Sequence, residues 1–187
     1  MAKFYDELDD FLKDFISKQH IFFNASAPVE GRINISPKGL DTFRILNNKR
    51  VAYLDLTGAE NESGAHLAEN GRFTLMFCSF DEKPLILRIY GNGRAVRPRD
   101  SEWADLHTHF PVIEGERQII VLDIESLMTS CGFGVPLFEF RAVRTMLPEF
   151  ACNMGETKMD EYRKKNNQKS IDGMPTYYLS DSDTQGK

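Results

Sequence analysis

The sequence predicts a mainly β protein, a β-barrel with flanking helices. Three observations predict it. Short runs of strand-forming residues, about seven of them, alternate with compact turns rich in glycine, asparagine and proline. One short helical pattern lies between neighbouring strands, after Leu56. Amphipathic helical patterns bracket the set at both ends, an arrangement that suits a small antiparallel barrel.

The 187 residues are enough for one domain with a real core. Its parts are an N-terminal helix over 1–18, a barrel with inserted helices over 19–130, a loop and C-terminal helices over 131–178, and a tail over 179–187. A hydrophobic content of 41% and a charged content of 27% are ordinary for a soluble globular chain. The net charge of −5 argues against nonspecific binding to nucleic acid or membrane. Cys78, Cys131 and Cys152 form no CxxC pair, so neither zinc nor a disulfide framework is expected, and a reducing, cytoplasmic compartment fits. Met1 opens an acidic amphipathic stretch rather than a signal peptide, and no apolar run is long enough for a membrane span.

Phe4, Leu8, Phe11, Leu12, Phe15 and Ile16 recur at helical spacing and predict a helix ending near Ser17–Gln19. Ile21–Ala27 and Arg32–Ser36 read as strands of a hairpin about Pro28–Gly31. Pro37 and Gly39 frame Lys38 at the strand end, which presents the lysine in a defined place; alone it is also an ordinary loop lysine. Thr42–Leu46 and Val51–Leu56 follow as strands about Asn47-Asn48-Lys49. Arg72–Phe80 and Leu85–Val96 form a further hairpin, in which Gly91 and Gly93 mark a bulge or a close approach. Arg88 alternates with Leu87 and Ile89, on a barrel wall or exposed. A helix is predicted over Asp100–His109, packing through Trp103, Leu106 and Phe110. Its His107 and His109 do not share a helical face, so no metal site is expected there. Gln118–Asp123 is a strand that Ser126–Thr129 can extend. Ser130–Pro136 is an irregular glycine-rich loop, where Cys131 has no basic neighbour to activate it and Phe133 covers a ligand or plugs the core. Leu147–Lys165 is helical in two pieces about Gly155, Ser170–Pro175 is a turn, and Ser180–Lys187 has the composition of a disordered tail.

The stretch VAYLDLTGAENESGAHLAENGRFTLMFCSF, residues 51–80, carries the candidate chemistry. It reads strand, polar turn, short helix, strand, with Asn61 or Ser63 as the cap and Asn70-Gly71 as the stop. A helix N-terminus after a polar turn offers unpaired N–H groups and partial positive charge, a seat for phosphate, with Asn61, Ser63 and His66 as side-chain donors. On local sequence alone a plain capped helix is the favoured reading, since cap residues are common; there is no Walker pattern and no GxGxxG.

That stretch followed by LILRIYGNGRAV resembles the flavin-binding split-barrel family related to pyridoxamine 5'-phosphate oxidase. ISPKGLDTFRIL and SCGFGVPLFEF are similar to an uncharacterised branch of it, and the resemblance covers roughly 18–178. It implies a six-stranded antiparallel Greek-key split barrel and a homodimer with FMN at the interface. The oxidases carry basic residues for the FMN phosphate where this chain has Asn61, Glu62, Ser63 and His66; their Arg-Lys pair is absent from Ser63-Gly64-Ala65, and His66 and Lys38 replace that charge. Glu62 must then point away from the phosphate. The chain closes on YYLSDSDTQGK instead of an Arg-rich strand, so pyridoxamine phosphate oxidation is not carried over.

The implied function is an FMN-binding flavoprotein, an oxidoreductase on an unidentified small molecule. Ser36, Lys38, Asn61, Ser63 and His66 would hold phosphate or ribityl groups, with Arg88 a further candidate and Cys131 and Phe133 lining the ring from the partner subunit. No catalytic acid or base is assigned. The alternatives are a non-catalytic flavin- or haem-binding module, with His20, His66, His107 and His109 as the available histidines, and an F420-dependent reductase on the same fold.

Overall fold

The computed structural model describes residues 2–179. The tail expected beyond Leu179 lies outside the described residues. Eight strands form one antiparallel sheet: β1 (Lys3–Tyr5), β2 (Phe22–Ser26), β3 (Asn34–Lys38), β4 (Phe43–Asn47), β5 (Arg50–Leu56), β6 (Arg72–Cys78), β7 (Ile86–Val96) and β8 (Glu116–Ser130). Five helices accompany them: α1 (Asp10–Ser17), α2 (Glu62–Glu69), α3 (Trp103–His107), α4 (Met146–Met154) and α5 (Glu156–Asn166). The strand order is β3-β2-β6-β7-β8-β5-β4, with β1 added beside β8. Within it β6, β7 and β8 are consecutive hairpin neighbours and β5 returns beside β8, a Greek key.

Connectivity makes this sheet curl. β3 and β4 stand at opposite ends of the order, yet only residues 39–42 join them. The step from Lys38 to Phe43 spans at most about 18 Å when fully extended. The two edges must therefore approach one another, which gives a half-barrel with a seam between β3 and the β4–β5 hairpin. The turn is tight enough that Leu40 and Asp41 both take positive φ, 64° and 55°.

The apolar runs at 51–56 and 119–124 do not alternate with polar residues because both faces are covered. Val51 and Tyr53 of β5, with Ile120, Leu122 and Ile124 of β8, face the interior with Phe22, Phe73, Leu75, Phe77 and the buried face of α1. Ala52, Leu54, Leu56, Ile119 and Val121 face the other way, against Phe110, Trp103 and Leu106.

The expected elements are present with three differences. Strands number eight, not six or seven. The first helix begins only at Asp10, because Asp9 caps it through Leu12 N at 2.8 Å; Lys3–Tyr5 instead pairs with β8. The helix expected over 100–109 contracts to Trp103–His107, since nothing caps its N-terminus by a side chain. No helix among the described residues is long and apolar enough to cross a membrane.

The β7·β8 register shifts between Tyr90 and Gly91 with the extra residue, Glu125, on β8; of the two meanings of the glycine pattern, Gly91 marks the close approach. A Cβ on Gly91 would lie 2.0 Å from the Asp123 carbonyl oxygen. Backbone cannot yield there as a side-chain tip could. We expect Gly91→Ala to lower the unfolding free energy by about 2–4 kcal/mol in denaturant titration. A change under about 0.5 kcal/mol contradicts this placement of the bulge.

Candidate functional site

At the seam, β3, β5, the turn after β5 and the start of α2 enclose a cavity of about 220 Å³. Asn34, Ser36, Lys38, Asp55, Asn61, Ser63 and Arg117 supply its polar wall, and Gly58–Glu60 its loop side. Of the residues singled out from sequence, Ser36, Lys38, Asn61 and Ser63 come together here.

Asp55 organises the charge. It is the last residue but one of the mostly apolar β5 and is buried. Lys38 Nζ donates to Asp55 Oδ1 at 2.8 Å, Arg117 Nη2 to Oδ2 at 2.7 Å, and Gln118 Nε2 to Oδ2 at 2.9 Å. Burial alone would raise the Asp55 carboxyl; the cations Lys38 and Arg117 outweigh it and hold the group well below the ordinary carboxylate range. Two cations thus share this carboxylate; Glu60 and Glu62 also line the cavity, so its capacity for an anion rests on directed donors rather than on net charge.

Asn61 caps α2. Its Oδ1 accepts from Gly64 N at 3.3 Å and from Gln118 Nε2 at 2.7 Å. Two donors on one oxygen fix the amide orientation, so Nδ2 is the free end. Asn61 Nδ2 and Arg117 Nε are both buried and have no hydrogen-bond partner among the described residues. Buried donors without acceptors are costly. Both belong to residues lining one cavity, beside Lys38 and at a helix N-terminus, where unpaired N–H groups add positive potential. This set fits a phosphate. At about 220 Å³ the cavity is below the roughly 300 Å³ of sites that house whole ligands, so it suits an end group.

The same geometry accounts for the missing Arg-Lys pair. A Cβ on Gly64 would lie 2.6 Å from Asn61 Oδ1. A long basic side chain at Gly64 would displace the carboxamide that caps the helix; the cations lining this cavity are Lys38 and Arg117.

The remaining candidates lie elsewhere. His66 is 0% exposed and does not line the cavity; its Nδ1 lies 2.9 Å from Ser26 Oγ and its Nε2 3.7 Å from Glu62 Oε2. It packs α2 onto β2. Glu62 Oε1 accepts from Ile171 N at 2.8 Å, so its carboxylate is occupied although the residue borders the cavity. Arg88 is half-buried and bonds Ser130 Oγ at 3.3 Å, flanked in register by Met76 and Met128 and away from the cavity. Cys131 is exposed and Phe133 is 81% exposed. Among the described residues no three His, Cys, Asp or Glu side chains gather as metal ligands.

Asn24, Asn34, Asp55, Arg117 and Gln118 were missed by the sequence reading. Asn24 Nδ2 reaches Tyr53 Oη at 2.8 Å and Ser63 Oγ at 2.9 Å, and Asn34 Nδ2 reaches Ser63 Oγ at 3.2 Å. The available signal was a charge set inside an apolar run: Asp55 in VAYLDL and Arg117-Gln118 before IIVL.

Comparison with known proteins follows the same lines. The family model described as pyridoxamine 5'-phosphate oxidase matches residues 8–131. The "Pyridoxamine 5'-phosphate oxidase family protein ustO" of Aspergillus flavus is 40% identical over 195 aligned residues, covering 94% of this chain and 78% of that protein. Among solved structures, a candidate pyridoxamine 5'-phosphate oxidase of Lactobacillus delbrueckii superposes with a TM-score of 0.54 at 13% identity, over 66% of this chain and 94% of that one. HupZ of Group A Streptococcus does so with a TM-score of 0.51 at 18% identity, over 64% and 91%. At such identities these two structures speak for the split-barrel fold alone.

Removing Arg117 leaves Asp55 with half its compensation. We expect Arg117→Met to cost about 3 kcal/mol of unfolding free energy. The contribution of Asp55 also has a defined pH signature. Its folded value is depressed below 3.8, so its stabilisation is full above that value and is lost as pH falls through the lower folded one. The stability gap between wild type and Asp55→Asn should be flat from about pH 5 to 8 and shrink below about pH 4. A gap that grows on acidification contradicts the ion-paired state.

Proposed function

The chain belongs to the pyridoxamine 5'-phosphate oxidase family, and on that premise we propose that it is an FMN-binding flavoprotein, an oxidoreductase acting on a small molecule. The observation that carries this reading is the pair of buried, acceptorless donors, Asn61 Nδ2 and Arg117 Nε, on residues lining one cavity with Lys38. The phosphate of FMN would take up those donors, the Ser63 and Ser36 hydroxyls and the charge of Lys38. A bound flavin supplies the two-electron redox chemistry. The chain's own part is to hold the phosphate end, orient the rest of the cofactor and exclude water around it. Lys38 and Arg117 are already anchored on Asp55, so they need little reorganisation to receive an anion.

The reading includes a homodimer. Residues 133–150 carry eight large apolar side chains that are more than a third exposed, among them Phe138, Phe140 and Phe150. Such a density of exposed apolar groups supports an interface between copies. The rest of the cofactor, and the substrate, would then lie between subunits. Cys78, Cys131 and Cys152 are all unpaired, which supports a reducing cytoplasmic setting.

Riboflavin lacks the phosphate and separates the two halves of this reading. We expect Lys38→Ala to raise the Kd for FMN by about tenfold or more while the riboflavin Kd moves less than about twofold, in titrations of flavin fluorescence. Equal effects on both ligands contradict a phosphate role for Lys38. Light scattering of the purified protein should give twice the 21.4 kDa chain mass.

A further inference from the structure

Residues 163–176 lie beyond the stretch matched by the family model, which ends at 131. They nonetheless reach back onto the anion corner at several points. Arg163 Nε donates to Thr57 Oγ1 at 2.8 Å and its Nη2 to Glu116 O at 2.9 Å. Ile171 N holds the Glu62 carboxylate. Asp172 accepts from Arg32 N at 2.7 Å. The segment closes on itself through Thr176 Oγ1 to Asn167 O at 2.6 Å and Thr176 N to Gln168 O at 3.0 Å.

Asn167 is the point of convergence and is 0% exposed. Its Oδ1 accepts from Arg117 Nη1 at 2.8 Å. Its Nδ2 lies 3.3 Å from Gly58 O and 3.4 Å from Ala59 O. Arg117 Nη1 also donates to Glu60 O at 2.9 Å. One carboxamide therefore fixes both the cation and the loop that wall the cavity. The chemistry of the side chain matters here: the carboxamide turns an acceptor oxygen toward the guanidinium and, on a separate atom, N–H donors toward the carbonyls. Turning the loop carbonyls outward, onto Asn167, also keeps their negative ends from the anion.

We propose that residues 163–176 form a strap that presets the anion corner, with Asn167 as a positioning residue for phosphate recognition through Arg117 and the Gly58–Glu60 loop. The proposal rests on the FMN reading above. Asn167 does not line the cavity, so it acts on the ligand only through the groups it holds.

The test is the ratio of riboflavin Kd to FMN Kd, which reports phosphate recognition separately from folding. It is measured in wild type, Asn167→Ala, Asn167→Asp and, as a stability control, Gly91→Ala. Wild type should prefer FMN. Asn167→Ala should reduce that preference about tenfold, with riboflavin binding within about twofold of wild type. Asn167→Asp keeps an oxygen for Arg117 but loses the N–H donors and adds a negative charge beside the guanidinium; it should reduce the preference at least as much. It also carries the test if Asn167→Ala does not fold. Gly91→Ala should lose stability and keep the ratio. A wild-type preference that survives in the folded Asn167 variants overturns the strap and leaves the FMN reading standing. A wild type that does not prefer FMN overturns both.

Discussion

The Lys38–Asp55–Arg117 group ties the structure together. Lys38 ends one edge strand of the sheet, Asp55 lies on the strand beside the other edge, and Arg117 opens the long β8. A carboxylate buried in a low-dielectric wall is unstable unless compensated, and here two cations and an amide compensate it. Because those cations come from different sides of the seam, satisfying Asp55 requires the sheet to curl. The short β3–β4 link demands the same closure sterically, with two consecutive residues at positive φ as its local cost. Topology and electrostatics thus specify one geometry.

That geometry leaves a surplus. Lys38 and Arg117 meet Asp55 at the N-terminus of α2, with Glu60 and Glu62 also lining the cavity, and two buried N–H donors there have no acceptor among the described residues. Such a surplus is the usual form of an anion-binding site: donors fixed in advance, charge held by neighbours, and a cavity sized for an end group. The C-terminal segment adds a further layer, since Asn167 holds Arg117 and the loop carbonyls from behind. The family's barrel and a segment outside its matched core therefore converge on one small cavity.

Much of this was legible in the sequence. The strand–turn–helix–strand unit over 51–80, the Asn61 cap, the Asn70-Gly71 stop and the close approach at Gly91 all follow from local chemistry. Ser36, Lys38, Asn61 and Ser63, grouped by the family resemblance, do line one cavity, because β3, β5 and the start of α2 meet at the seam. His66 was not legible as a core residue, since helical phase alone does not tell which face of an eight-residue helix is covered; it turned to Ser26 rather than to the cavity. Arg117 and Asn167 are far from the corner in sequence, and only β5·β8 pairing and the return of the C-terminal segment bring them in. Phe4 fitted the helical period of its neighbours but is a strand residue, because the Asp9 cap starts the helix after it.

A crystal structure of the protein with FMN tests the central claim most directly. The account predicts the phosphate in the seam cavity, with oxygens within hydrogen-bond distance of Asn61 Nδ2 and Arg117 Nε and the Lys38–Asp55 pair retained. A phosphate seated elsewhere, for instance on Arg88, with both donors still lacking an acceptor, would contradict it.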